Sequence, residues 1–357
     1  MPFFSILIPV YNVEKYLREC LDSVVQQDFT DYEVLMLDDG STDSSGEICK
    51  EYEKKYPHFH YYRQQNKGLL LTRRQLFQLM RGEYAICLDS DDYRLEGTLR
   101  KNYEDVVKSG CDLVIYRHNV IADDGTFMKE SPISYKKETI FEGRQMEHIF
   151  ETFIIDGTIS NMWGKVVKKD IIDITADYSI YKDVKGEDVL QSIALFRNAK
   201  KIMYSPRITV CYRSSQNSRS NNFKFKYIQD LNTVYYQLYL YYLEVCAGQM
   251  KKKKQFFHRY LVIQRNNIVP LMDTKGNVDL KIRALETLRE AELMKVCKKF
   301  EQEKGTIMDR MLVSILCGHN IKKTELYFWL FGALRKMKHT VVRQNKQQNV
   351  KNYERGK

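Results

Sequence analysis

Apolar residues over the first 116 positions fall into two alternating rhythms. Phe3–Val10 (FFSILIPV) is an apolar run of strand length. Val13, Tyr16, Leu17, Cys20, Leu21 and Val24 then recur at the three- and four-residue spacing of an amphipathic helix. Asn12 stands where its N-cap belongs. Glu33–Leu37 predicts a second strand, closed by Asp38-Asp39-Gly40-Ser41-Thr42-Asp43, a turn that caps a helix near 43–55. His58–Tyr62 predicts a third strand and 69–80 a helix. Tyr84–Leu88 predicts a fourth strand, ending in Asp89-Ser90-Asp91-Asp92. A helix near 95–108 and a strand at Asp112–Tyr116 complete the run. Strand and helix in alternation predict a mainly parallel sheet with helices on both faces. In such sheets ligands bind beyond the carboxyl ends of the strands, where both acidic turns fall.

The rhythm then changes. Asp123-Asp124-Gly125 marks a hairpin turn. Glu187–Asn198 reads as a helix and 201–213 as short extended segments. From about 224 helical spacing dominates, at 225–247, 252–269, 279–303, 307–317 and 322–338. The expected organisation is an α/β domain over 1–220, a basic helical region over 221–340 and a polar tail over 341–357.

Charge sharpens that division. The net charge of the 357-residue chain is +11. Residues 221–357 hold 27 basic and 12 acidic residues, and residues 1–220 hold 30 and 34. The positive excess lies in the C-terminal part, which points to an anionic partner or to a well-solvated helical surface. No uninterrupted apolar stretch approaches the ~18 residues of a membrane span, and no basic leader precedes the first apolar run. The eight Cys stand at least 20 positions apart, without a Cys-x-x-Cys pair. Reduced, buried thiols and a cytoplasmic protein are the expectation.

Candidate chemistry sits at the strand ends. Asp89 and Asp91, two carboxylates at i and i+2, can hold a hard divalent cation that bridges to phosphates. Asp39 offers an acceptor to a base N–H, and the helix behind it favours an anion. Pro9-Val10-Tyr11-Asn12 offers a backbone edge and an aromatic plane. Each alone is an ordinary turn or capped junction.

All three in this order are more telling. SILIPVYNVEKYLRECLDSVVQQDFTDYEVLMLDDGSTDSS resembles the opening of family 2 glycosyltransferases, which have the GT-A nucleotide-diphospho-sugar transferase fold. The resemblance continues through Asn66-Lys67-Gly68, Gly82-Glu83-Tyr84 and LDSDDY at 88–93, and more loosely to about 215. It implies that Pro9 and Tyr11 line uracil and ribose, and that Asp39 contacts the uracil. It implies further that Asp89 approaches the ribose or metal, that Asp91 holds Mn²⁺ or Mg²⁺ on the diphosphate, and that Arg73 contacts the nucleotide. Gly186-Glu187-Asp188 resembles the family's Glu-Asp pair, with Asp188 as catalytic base and Glu187 beside it. Trp163-Gly164-Lys165 resembles its acceptor-side Trp-x-Lys segment, and Tyr212-Arg213 a late Tyr-Arg pair. The segment Gly68-Leu69-Leu70-Leu71-Thr72-Arg73-Arg74 departs from the family's Gly-x-Ser-x-Ala-Arg-Asn, losing its small and amide residues. No Gln-x-x-Arg-Trp motif of processive synthases is present, which favours one sugar per encounter.

The resemblance thus implies an inverting, metal-dependent transfer from a UDP-sugar to a glycan or lipid-linked hydroxyl in surface polysaccharide synthesis. The alternative is a non-catalytic sugar-nucleotide or glycan-binding relative with a basic anchoring tail. Six tyrosines between 227 and 242 read as core filling, with an interfacial belt or carbohydrate platform as the alternative. Apolar residues at 326–331 beside Arg335, Lys336, Lys338 and Arg343 suit a helix lying on an anionic bilayer at the inner face of the cell membrane. A homodimer is the other expectation for these helices; no nucleic-acid motif is found.

Overall fold

The computed structural model describes residues 1–181, 183–214, 224–246, 248–272 and 277–331. The chain divides into two compact units. One comprises Met1–Asn222 with Gln237–Lys252, the other Phe223–Tyr236 with Lys253–Lys357.

The first unit is built on ten strands and the helices between them. In chain order these are β1 (Phe4–Val10), α1 (Glu14–Val25), β2 (Tyr32–Asp38), α2 (Ser45–Lys55), β3 (Phe59–Arg63), α3 (Leu69–Leu79), β4 (Tyr84–Cys87), β5 (Tyr93–Arg94) and α4 (Thr98–Ser109). There follow β6 (Leu113–Ala122), β7 (Phe127–Glu130), β8 (Thr139–Glu142), α5 (Met146–Glu151), β9 (Lys165–Lys168), α6 (Glu187–Asn198) and β10 (Lys201–Ser214). The strand order is β3-β2-β1-β4-β9-β6-β10-β5, with β7 on β6 and β8 on β10. Strands β3, β2, β1 and β4 are parallel, and antiparallel β9 joins them to the parallel pair β6 and β10.

Every residue of β1 and β2 is buried, as strands covered on both faces require. Leu17, Cys20, Leu21 and Val24 of α1 pack into the same core. Each fully buried Leu there contributes roughly 1.5–3 kcal/mol. Two polar residues inside it are satisfied: Ser5 Oγ donates to Glu33 at 2.6 Å, and Glu33 accepts from the Arg81 backbone at 2.7 Å. All eight cysteines are free and buried, as expected.

Three local expectations need correction. Asn12 is not an N-cap. It takes a left-handed φ of 48°, and its side-chain oxygen accepts from Thr42 N at 2.8 Å, stitching β1's end to the turn after β2. The segments at 201–213 form one 14-residue strand. Its register shifts between Tyr204 and Ile208, around Pro206, which lacks a ladder donor. The helix expected at 279–303 is two, α9 (Val278–Glu290) and α10 (Glu292–Lys304), in the second unit. Ala291 between them is extended, with φ −61° and ψ 132°. No Gly or Pro announces that break.

Helices α7 (Lys226–Cys246) and α8 (Met250–Met272) precede α9, and each contributes residues to both units. The compact N-terminal unit therefore extends beyond the expected boundary at 220. Within it Tyr241 lies 6.0 Å from Phe150, and Arg197 pairs with Glu244 at 2.9 Å. Five of the six tyrosines at 227–242 are buried core, and Tyr236 is partly exposed. After α10 come α11 (Ile307–Leu316), capped by Thr306, and a helical stretch at 321–331. Among the described residues no helix is long and apolar enough to cross a membrane. Arg335, Lys336, Lys338 and Arg343, and the tail at 341–357, lie outside the described residues.

Candidate active site

The carboxyl ends of β1, β2 and β4 lie side by side because the three strands are parallel neighbours. Pro9 is buried within β1, and Tyr11 just beyond it is 52% exposed. Asp39 N donates to Val10 O at 2.8 Å, carrying the pairing one step past β2. The Asp39 carboxylate is buried and accepts three hydrogen bonds, from Gln64 Nε2, Lys67 N and Gly68 N, each at 2.8 Å. It fastens the 64–68 loop, and that loop launches α3.

Helix α3 carries Arg73 inward. The side chain is fully buried. Nη2 donates to Asp89 Oδ1 at 2.7 Å, and Nη1 donates to Asp188 Oδ1. Gln191 Oε1 lies 3.5 Å from Nη1. Asp89 follows β4. Asp188 occupies the first turn of α6, whose positive end favours a carboxylate, and Gly186 starts that helix at φ +100°. One guanidinium thus joins two carboxylates about a hundred residues apart in the chain. Burial works against the Arg73 charge, but Asp89 and Asp188 outweigh it and hold its pKa above the ordinary value. Burial raises Asp89 as well, with Arg73 opposing.

Asp91 is partly exposed, and its pKa is pushed up to about 6 by burial and then by the Asp89 charge. Asp92 is buried. Its Oδ1 accepts from Arg213 N at 2.8 Å, while its Oδ2 has no partner. Arg213 braces this turn: Nε donates to Asp91 O at 3.0 Å and Nη2 to Glu19 at 2.5 Å. Its guanidinium lies 4.9 Å from the Tyr16 ring centre. Among the described residues no group of three or more His, Cys, Asp or Glu forms a metal cage. A Mg²⁺-type cation needs only one or two carboxylates when phosphates and water complete its shell. Crowded carboxylates at 89, 91 and 92, one with an orphaned oxygen, fit that donor set.

Lys165 enters from β9. It is buried, its Nζ donates to Asn161 O, and burial lowers its pKa to about 7 against the pull of Asp188. Trp163 bridges to Cys87 at the end of β4. Its ring is buried, stacked on Tyr212 at 5.0 Å and edge-on to His118 at 4.4 Å. Glu187 Oε2 accepts from Gly186 N at 3.0 Å and so helps shape the start of α6.

The structure therefore gathers Arg73, Asp89, Asp188 and Lys165 around one cluster, with Asp91 in the turn after Asp89 and Asp39 reaching it through the 64–68 loop. Sequence reasoning assigns no role to Asp92, Gln64 or Asn161. Asp92 is visible there as part of an acidic run, whereas the other two carry no local signal.

Comparison with known proteins agrees with this architecture. Residues 5–164 match the model of Glycosyl transferase family 2. The glycosyltransferase GlyA of Streptococcus pneumoniae serotype 4 is 29% identical over 230 residues, 64% of this chain and 33% of GlyA. The minor teichoic acid biosynthesis protein GgaB of Bacillus subtilis is 38% identical over 116 residues, 31% of this chain and 13% of GgaB. The chain thus spans a third or less of the length of these two relatives. The crystal structure of S. aureus TarS 1-349 in complex with UDP-GlcNAc superposes with a TM-score of 0.61 at 19% identity, covering 89% of this chain and 90% of that one. Residues 5–164 thus carry the pattern of glycosyl transferase family 2, and the chain shares the GT-A fold of this neighbour, with a helical C-terminal region.

Proposed function

We propose that this protein transfers a sugar from a UDP-sugar to a hydroxyl of a glycan or lipid-linked acceptor, with inversion at the anomeric carbon, in the synthesis of a surface polysaccharide. The observation that carries the reading is the convergence of the Asp89–Asp91 turn and the α6 carboxylate Asp188, joined by Arg73. The neighbour solved with UDP-GlcNAc supports the donor class, and the teichoic acid relative supports the polymer class.

On this reading Tyr11 and the Pro9 backbone line the base and ribose, and Asp39 meets the uracil edge. Asp91 and Asp89 would hold Mn²⁺ or Mg²⁺, which neutralises charge on the departing diphosphate. Arg73 occupies Asp188 Oδ1, leaving Oδ2 to accept the proton of the attacking hydroxyl. One base facing the leaving group gives a single displacement, hence inversion. Trp163 and Lys165, with Glu187, shape the acceptor side. The test is a screen of UDP-sugars for Mn²⁺-dependent turnover by the full chain, Asp91→Ala and Asp188→Asn. Turnover is expected to vanish in Asp91→Ala, with weaker UDP binding. In Asp188→Asn, kcat should fall about 10²-fold or more while UDP affinity stays nearly intact. Wild-type kcat in Asp188→Asn would move the base elsewhere.

We further propose that the second unit rests on an anionic membrane at the cytoplasmic face. It holds 25 Lys and Arg against 11 Asp and Glu. Ile307 and Met308 on α11 are 84% and 66% exposed, and Trp329 in the following helix is 67% exposed. Basic residues near apolar side chains suit a lipid interface.

A further inference from the structure

We infer that Arg73 is a positioning residue whose part in turnover runs through Asp188, rather than a hand that grips the nucleotide. The inference rests on the reading of Asp188 as base. Arg73 sits in the second turn of α3, with a side chain only 1% exposed, so a phosphate has almost no surface on which to meet it. Its fork is already divided between Asp89 and Asp188, and Nε is buried without a partner.

The chemistry of the side chain suits this use. A guanidinium keeps its proton and presents its donors in a rigid plane, so it can hold two carboxylates at a fixed separation. Pinning one oxygen of Asp188 fixes the direction of the other. A misplacement of about 1 Å in a reacting group costs on the order of 10²-fold in rate. A lysine keeps the charge but lacks the fork. Lys165, the second buried cation near Asp188, donates instead to Asn161 O. Leu70 and Leu76 of α3 are buried, which seats the helix that carries Arg73.

The test is a double-mutant cycle in the full-length protein, using the UDP-sugar with fastest turnover in the screen and calorimetry with UDP and Mn²⁺. Arg73→Lys should lower kcat about 10-fold or more, with donor KM and UDP affinity within about threefold of wild type. In the Asp188→Asn background the same change should cost almost nothing further, because the group it positions is gone. Costs that multiply, or a donor KM that rises with kcat intact, would overturn the inference while leaving Asp188 as base. Wild-type kcat in Asp188→Asn alone would remove the base assignment and this inference with it. If Arg73→Lys does not fold, NMR of arginine-labelled protein decides. A slowly rotating buried guanidinium should change its Nη resonances in Asp188→Asn and hold them when UDP is added. The reverse pattern overturns the inference.

Discussion

At the scale of single residues, Lys165 holds an ammonium where water does not reach. Burial lowers its pKa to about 7, whereas a lysine in the unfolded chain keeps its proton to about 10.4. Below pH 7 both states are protonated and the full cost of the buried charge falls on the fold. Between about 7 and 10.4 the unfolded chain binds more protons, so this residue makes stability rise with pH. Lys165→Met removes the effect. Its melting temperature relative to wild type should be most favourable near pH 6.5 and lose that advantage by pH 9.5. A difference independent of pH would mean that the ammonium is solvated. The acids Asp39, Asp89, Asp91 and Asp188 were legible in the sequence because each stands at a strand or helix end within a short motif. The buried engagement of Arg73 was not. Its partners are 16 and 115 positions away, and no local spacing encodes them.

At the scale of elements, the short link between β3 and α3 depends on Gly68. Its φ of +86° and ψ of 159° lie where side-chain-bearing residues pay roughly 1–3 kcal/mol. An added Cβ would also stand 2.5 Å from Asp183 Oδ1, though that carboxylate can swing aside. Gly68→Ala should therefore lower stability by about 1–3 kcal/mol in urea melts. It should also weaken UDP binding, since Gly68 N is one of the three donors on Asp39. Unchanged binding would separate the loop from the donor site. Periodicity revealed the βα repeats because buried strands and amphipathic helices impose it directly. It missed the interruption at Ala291, where apolar residues keep helical spacing on both sides and no Gly or Pro marks the break. It also suggests short extended segments over 201–213, where one strand continues through a shift of register around Pro206.

At the scale of the whole molecule, charge and fold are distributed unequally. The positive excess belongs to the second unit, and its test is sedimentation with phosphatidylglycerol vesicles. At low salt the full chain should pellet, and deletion of 307–357 should leave it in the supernatant. Each Lys or Arg near such a surface adds about 1 kcal/mol, screened as salt rises. A full chain that stays in the supernatant at low salt would favour a homodimer or a solvated surface. Composition showed the division of charge, but the compact unit's claim on Gln237–Lys252 came only with the structure, because it rests on packing against residues far upstream. The burial of every cysteine gives the molecule a further property. Six thiols lie in the first unit and two, Cys297 and Cys317, in the second. Burial keeps the thiolate scarce at Cys20, Cys49, Cys87 and Cys297, so alkylation must wait for the chain to open. Timed exposure to iodoacetamide followed by peptide mass spectrometry would therefore time the opening of each unit separately, with the native cysteines as the only reporters and no substitution in the sequence.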